Sequence, residues 1–368
     1  MKFSCTQENL AKGLSLVARS VGGRTTLPVL SNILLRTEKG RLRLSATDLE
    51  IGIHTWVGAK VDVDGAITCP ARLLLDYINT NTDKTINCEL KESTLHLESE
   101  RYKVNIKGIE ASEFPLIPEV KKSVEIELVS QDLITSINKT VIASALDESR
   151  PVLAGVCIQA SGNKMKLVAT DSYRLAEQTI ILDKKINSEV SFIVPSRTMA
   201  ELSRILGDGT QKVRIYPGEN QVEFVTEETI LFSRLIEGSF PDYAQIIPKS
   251  SQTEVEVTTP EFANAIKMAS LFARESANNI KLKIAENKPL EVLAVSPHVG
   301  DNVSSVEGKI KGEALEIAFN AKFILDCLQV LGSEKVTLSL SGNLAAGMLR
   351  STKDLNYLYV IMPLRTEE

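Results

Sequence analysis

Two copies of one phrase hold the first candidates for chemistry. Residues 44–53 read LSATDLEIGI and residues 167–176 read LVATDSYRLA, which puts Asp48 and Asp171 at matching positions 123 residues apart. A pair of carboxylates could divide acid and base work in a hydrolase. Each Asp sits in its own copy of the phrase, however, and nothing supplies a second acid beside it. An Asp after an apolar run also suits a strand-to-strand turn, where its carboxylate bonds neighbouring backbone amides. The recurrence itself points to an internal repeat.

Other catalytic signatures are missing. There is no Gly-x-x-x-x-Gly-Lys loop, no Gly-x-Gly-x-x-Gly, no His-Glu-x-x-His and no Gly-x-Ser-x-Gly. His54, His96 and His298 are isolated and too few for metal chemistry in each copy. Cys5, Cys69, Cys88, Cys157 and Cys327 are odd in number and never form a Cys-x-x-Cys pair, so they read as reduced thiols with no zinc site. Neither a metal nor a cofactor is expected, and the chain reads as a scaffold, not an enzyme.

The elements that would position these residues repeat three times. Cys69-Pro70-Ala71-Arg72, Val194-Pro195-Ser196-Arg197 and Phe319-Asn320-Ala321-Lys322 each precede an amphipathic helical run, with the cation recurring at an interval of 125 both times. Asp76, Glu201 and Asp326 follow four residues later, so each helix is expected to open with an i,i+4 ion pair. A second set of helices begins each copy, with Leu10, Leu14 and Val17, then Leu133, Ile137 and Val141, then Phe262, Ile266 and Ala269 at helical spacing. Phe114-Pro115, Phe240-Pro241 and more loosely Met362-Pro363 close the copies. Three domains follow, 1–120, 121–250 and 251–368, with short polar joints. Alternating segments such as 41–44, 94–97, 102–106, 280–284 and 336–340 predict half-buried strands. Each domain then holds two helices and about eight strands in antiparallel sheets covered on one face, an α+β fold.

Charge is unevenly placed. The six helical windows carry nine Lys and Arg against six Asp and Glu, a surplus of three, while the whole chain has a formal charge of −5. Arg72, Arg197 and Lys322 in the first turn of a helix oppose its macrodipole. They fit either a solvated face or contact with the phosphates of a duplex. With 43% hydrophobic residues, no apolar run long enough for a membrane helix and no signal-like start, a cytoplasmic location is expected.

The phrases GGRTTLPVLSNILL (22–35), ATDLEIG (46–52), ESRPVLAGV (148–156), ATDSYRLA (169–176), EGSFPDY (237–243) and YVIMPLR (359–365), with the threefold repeat, resemble the beta sliding clamp family of the bacterial replicative DNA polymerase along the whole chain. The resemblance implies a DNA clamp fold in which three repeated domains form half of a closed ring. Two chains would join head to tail, with helices on the inner wall. Such a homodimer encircles duplex DNA without sequence specificity and slides along it as a processivity factor.

Carried over residue by residue, a peptide-binding pocket between the second and third domains would be lined by Leu153, Thr170, Arg174 and Leu175, with Pro241 and Ile246 at the joint. Val360, Met362, Pro363, Leu364 and Arg365 would complete it, flanked by Phe323. Apolar walls with an adaptable Met suit a short peptide with leucine and aromatic anchors. The implied partners are the clamp loader, replicative and other polymerases, and repair proteins that carry such a peptide. Arg24 is placed near DNA by the resemblance, alongside Arg72, Arg197 and Lys322. Ring closure would bring Val104 and Ile106 on an edge strand against Leu271 and Phe272 at a helix end.

The chain departs from the family at Ser172-Tyr173, where some members have Gly-His, and at Ala244-Gln245, where those members are basic. Thr366, Glu367 and Glu368 extend past Arg365, and Ala294-Val295-Ser296 replaces Ala-Thr-Asp in the third domain. These changes bear on partner affinity and leave the fold expectation intact. A peptide-binding adaptor without a DNA role would share the pocket but show no ring.

Overall fold

The computed structural model describes the chain except for residues 23–26, 119, 148 and 366–368. Six helices carry the apolar faces read from the sequence: α1 (Gln7–Val17), α2 (Ala71–Thr80), α3 (Ser130–Val141), α4 (Ser196–Ile205), α5 (Thr259–Ala273) and α6 (Ala321–Val330). Their starts are chemically marked. Thr6 caps α1 by accepting from Asn9 N (3.3 Å), and Asn320 caps α6 by accepting from Lys322 N (2.9 Å). Pro260 occupies the first turn of α5, where its missing N–H costs nothing.

The chain forms two compact units, Met1–Gln131 with Glu201–Leu235 and Asp132–Ala200 with Ile236–Glu368. Unit 1 contains two antiparallel sheets. Five strands run in the order Lys60–Val63, Lys2–Thr6, Thr85–Lys91, Thr94–Glu98, Lys103–Lys107. Eight more run Ile126–Val129, Lys212–Pro217, Gln221–Val225, Thr229–Arg234, Ile51–Val57, Arg41–Thr47, Asn32–Glu38, Gly65–Pro70. This larger sheet is shared between two sequence repeats. Thr229–Arg234 pairs edge to edge with Ile51–Val57, with Leu231 opposite Ile53. One face buries Leu35, Leu42, Leu44 and Ile53, and α1 packs on it through Leu10, Leu14 and Val17. Gly13 allows this close approach, because a Cβ there would lie 2.5 Å from Val57 Cγ2.

Unit 2 follows the same plan with different strand lengths. Its seven-stranded sheet runs Gly155–Thr170, Arg174–Pro195, Tyr357–Ile361, Gly347–Ser351, Lys335–Leu340, Thr253–Thr258, Gly308–Gly312. The remaining four run Gly300–Val306, Leu290–Ser296, Asn279–Ile284, Leu315–Asn320. Again one sheet crosses a repeat boundary, with Leu175 opposite Val360. The two long strands of the middle repeat do the work of several shorter ones in the first. Register shifts flank Gly162, whose φ of +58° is a conformation glycine adopts readily. The strands predicted at 41–44, 94–97, 280–284 and 336–340 fall in observed strands, that at 102–106 does so from Lys103 onward, and residues 60–63 add a short one that was not foreseen.

Candidate functional site

The repeated Ala-Thr-Asp phrase builds the same turn twice. In unit 2, Asp171 Oδ1 accepts from Tyr173 N (2.9 Å) and Arg174 N (3.0 Å), while Thr170 Oγ1 donates to Arg174 O (2.7 Å). In unit 1, Asp48 Oδ1 accepts from Glu50 N (3.1 Å) and Ile51 N (2.9 Å), and Thr47 Oγ1 donates to Ile51 O (2.9 Å). Ser172 and Leu49 both take positive φ, 79° and 77°. In the third repeat Ser296 Oγ accepts from His298 N (3.3 Å) and Val299 N (3.4 Å). These carboxylates close turns with their lone pairs.

What differs is the residue after the turn. Arg174 is expected on a pocket rim, yet its side chain is buried among two acids and a ring. Its Nε donates to Asp171 Oδ2 (3.0 Å), its Nη1 to Asp326 Oδ2 (2.6 Å), and its guanidinium lies 4.2 Å from the Phe323 ring centroid. Tyr359 completes the group by donating its hydroxyl to Phe323 O (2.9 Å). Burial works against the Arg174 charge, but Tyr359, Asp326 and Asp171 hold it more firmly protonated than an ordinary arginine. Asp326 is therefore spent on Arg174, which corrects the expected i,i+4 pair with Lys322. Glu201 accepts from Arg19 (3.3 Å) and Arg204. Arg72 and Asp76 form the expected pair, loosely, at 3.9 Å.

Leu175 and Val360 are core residues, clustered with Cys157, Val168, Ile193 and Tyr243. Both are almost fully buried in this structure. The exposed apolar surface comes instead from Met362, 39% exposed, Ile246, Pro241 and Tyr173, with Pro363, Leu364 and Phe323 half-buried. Met362 N donates to Tyr173 O (2.8 Å), which ties the C-terminal stretch to the turn, and Leu364 N donates to Ala318 O (2.8 Å). Leu153 is buried in a short helical turn, and Arg365 is exposed. Tyr359 was not singled out from the sequence, and its signal lay in position, on the strand that pairs with that of Arg174.

Of the basic positions, Arg72, Arg197 and Lys322 are all exposed in the first turns of α2, α4 and α6; Arg24 lies outside the described residues. Lys103–Lys107 is an edge strand, but Ile106 is 1% exposed and faces the core, and Val104 is half-buried. The exposed apolar residues lie on the other expected partner, with Leu271 49% exposed at the end of α5 and Val303 57% exposed on the edge strand Gly300–Val306. Among the described residues no His, Cys, Asp or Glu cluster could hold a metal. Burial pushes the Cys5, Cys69 and Cys327 thiols up to about 12, so they are protonated and unreactive. No described helix is long and apolar enough to cross a membrane.

Sheets continuous across repeat boundaries, with paired helices on one face, define the three-domain DNA clamp fold. Three models of the DNA polymerase III beta subunit match the chain: the N-terminal domain over residues 1–118, the central domain over 127–242 and the C-terminal domain over 244–365. The beta sliding clamp of Bacillus subtilis (strain 168) is 32% identical, with all of both chains covered, and that of Synechococcus elongatus is 32% identical over 99% of each. Among solved structures, the B. subtilis DNA polymerase sliding clamp superposes with a TM-score of 0.96 at 30% identity, covering both chains fully. So does a sliding clamp (DNA polymerase III subunit beta) from Pseudomonas aeruginosa bound to griselimycin. The chain belongs to the beta sliding clamp family, the beta subunit of bacterial DNA polymerase III.

Proposed function

We propose that the protein is the non-catalytic processivity factor of the replicative polymerase, and that two copies close head to tail into a ring around duplex DNA. The observation that carries ring closure is the pattern of sheet edges. In each unit, the strand after an Ala-Thr-Asp turn pairs with the last strand of the next repeat: Ile51–Val57 with Thr229–Arg234, and Arg174–Pro195 with Tyr357–Ile361. The equivalent strands left over are Gly300–Val306 and Lys103–Lys107, each an edge of its own sheet. Pairing them between two copies repeats the same joint and covers two open edges. Val303 and Leu271, with Phe272, supply the apolar surface beside that edge.

The domains in this reading are 1–120, 121–250 and 251–368. Arg72, Arg197 and Lys322 contact phosphates through long exposed side chains, and Arg24 joins them in this reading. Such contacts carry no base information, which is what sliding requires. Polymerases, the clamp loader and repair proteins take turns at a peptide groove on unit 2, where Met362, Ile246, Pro241 and Tyr173 offer apolar surface above the buried Leu175–Val360 cluster.

Retention on nicked circular DNA, after assembly by a clamp loader with ATP, tests the ring. The protein should co-elute with the circle in salt high enough to screen phosphate contacts, and should be lost on linearisation. The double variant Leu271→Ala, Phe272→Ala should run as a soluble monomer and not be retained. An unchanged dimer mass would discredit the interface, and wild-type protein surviving linearisation would exclude topological binding.

A further inference from the structure

The outer face of the eight-stranded sheet in unit 1 carries a group of cations with no role in the clamp reading. Arg36 and Arg43 lie directly opposite each other on adjacent strands. Like charges in that position repel. Trp56 is the next neighbour of Arg43, and His54 sits one strand over from Ser45 on the same face. With Lys122, four of these residues line a cavity of about 560 Å³, a volume usual for small-molecule sites. Its walls are apolar, from Leu34, Phe114, Leu116, Ile117 and Phe232.

Polar atoms on this face are left without partners. Arg36 Nε, Arg43 Nε, Ser45 Oγ and His54 Nδ1 are buried and make no hydrogen bond, although such atoms are rarely left unsatisfied in proteins. Arg43 reaches Glu38 (3.1 Å) with its other nitrogen, and Lys122 stacks on Tyr216 at 4.9 Å. Arg36 pairs with no acid among the described residues. The one carboxylate in the lining, Glu223, accepts from Val120 N (2.7 Å). Burial, then the Arg43 charge, lowers the His54 pKa to about 4, so the imidazole is neutral at neutral pH and the guanidinium groups set the field.

Unit 2 contains the same place in a satisfied form. An offset of 123 sets Gln159, Lys166, Val168 and Glu177 where Arg36, Arg43, Ser45 and His54 stand, and the strand register agrees, since Val168 faces Glu177 as Ser45 faces His54. There Lys166 pairs with Glu177 (3.1 Å), and Tyr243 fills the space and donates to Gln159 Oε1 (3.4 Å). Unit 1 has His54 in place of that acid and Ile117 in place of that tyrosine. At this joint the positions of the unit 2 acid and of its tyrosine plug hold neither an acid nor a tyrosine.

We infer that the unit 1 cavity binds a small organic anion, a phosphate or carboxylate carried on a compact apolar or aromatic body. The anionic group lies between Arg36 and Arg43, within reach of Lys122, and the body packs against Trp56 and Phe114. Trp56 is the chain's one tryptophan, so its fluorescence reports on the cavity directly.

The test titrates full-length protein with phenyl phosphate and with N-acetylphenylalanine, using benzyl alcohol as the uncharged control. At least one anion should shift Trp56 emission saturably at about millimolar concentration or below, and benzyl alcohol should not. Arg36→Gln should weaken the response about tenfold or more, the size of one lost charge-assisted hydrogen bond. Ile117→Tyr keeps every cation and installs the plug of unit 2, so it should abolish binding while the thermal transition confirms folding. The preferred anion then separates a phosphate ester from a carboxylate as the natural ligand. No saturable response to either anion, or wild-type binding by a folded Ile117→Tyr protein, would overturn the inference.

Discussion

The joint in unit 1 and the joint in unit 2 are one design executed twice, with opposite treatment of charge. Both use a Thr-Asp turn closed by the same three side-chain hydrogen bonds described above, and both run a sheet from one repeat into the next. Four residues after the Thr, unit 1 has Ile51 and unit 2 has Arg174. In unit 2 the buried cations meet acids, Arg174 with Asp171 and Asp326 and Lys139 with Asp354, and the half-buried Lys166 meets Glu177. In unit 1, Arg36 and Arg43 lie side by side on adjacent strands and line an open cavity, with Glu38 pairing Arg43 alone. The repeated backbone thus fixes where a joint forms. A few side chains decide whether it is closed or open to a ligand.

The sharpest way to break this contrast is at Arg174. Arg174→Ala leaves Asp171 and Asp326 without their shared cation, and unit 2 should lose about 3 kcal/mol, as expected when one partner of a buried ion pair is removed. Amide exchange in Gly155–Thr170 under mild denaturant reads the loss locally. Arg174→Ile combined with Asp326→Leu should recover more than half of it, because apolar replacement of a buried pair is often neutral or better. If the single variant is as stable as wild type, the guanidinium serves ligand contact alone. A smaller effect is expected from Tyr243→Ile, which gives unit 2 the residue found at the matching place in unit 1. Loss of the ring opens a void beside Val168 and Val360, at a cost of about 2 kcal/mol. Unchanged stability would mean that Tyr243 does not fill that space.

Much of this was legible from residue spacing. The recurrence of Asp48 and Asp171, and of Arg72, Arg197 and Lys322, exposed the repeat and predicted both the turns and the helix starts. Leu10, Leu14 and Val17 carry helical periodicity because α1 buries one stripe, and they are buried as that pattern requires. Long-range partners leave no such trace. Asp326 stands four residues after Lys322, so local spacing suggested an ion pair, but Arg174 approaches from 152 residues away and takes it. The burial of Leu175 and Val360 was hidden too, because an apolar residue in a strand reads alike on either face and only the sheet register decides which way it points. The unit 1 cavity was in the sequence too, as the substitution of Glu177 by His54 and of Tyr243 by Ile117 between repeats. Its meaning depended on knowing that Arg36 faces Arg43.

The gentlest change that sharpens the comparison is Ser45→Val. Ser45 is fully buried with an unpartnered hydroxyl, and its counterpart in unit 2 is Val168, also fully buried. A hydroxyl desolvated without a hydrogen bond costs about 1 kcal/mol or more, while the added methyl groups gain apolar burial next to an existing cavity. The variant should therefore stabilise unit 1 by about 1 kcal/mol, read as slower amide exchange in Arg41–Thr47 under mild denaturant. The cations stay in place, so the response of Trp56 to an aryl anion should persist. A loss of stability would instead mean that the Ser45 hydroxyl has a partner, and that this face of unit 1 is satisfied internally, as its counterpart in unit 2 is.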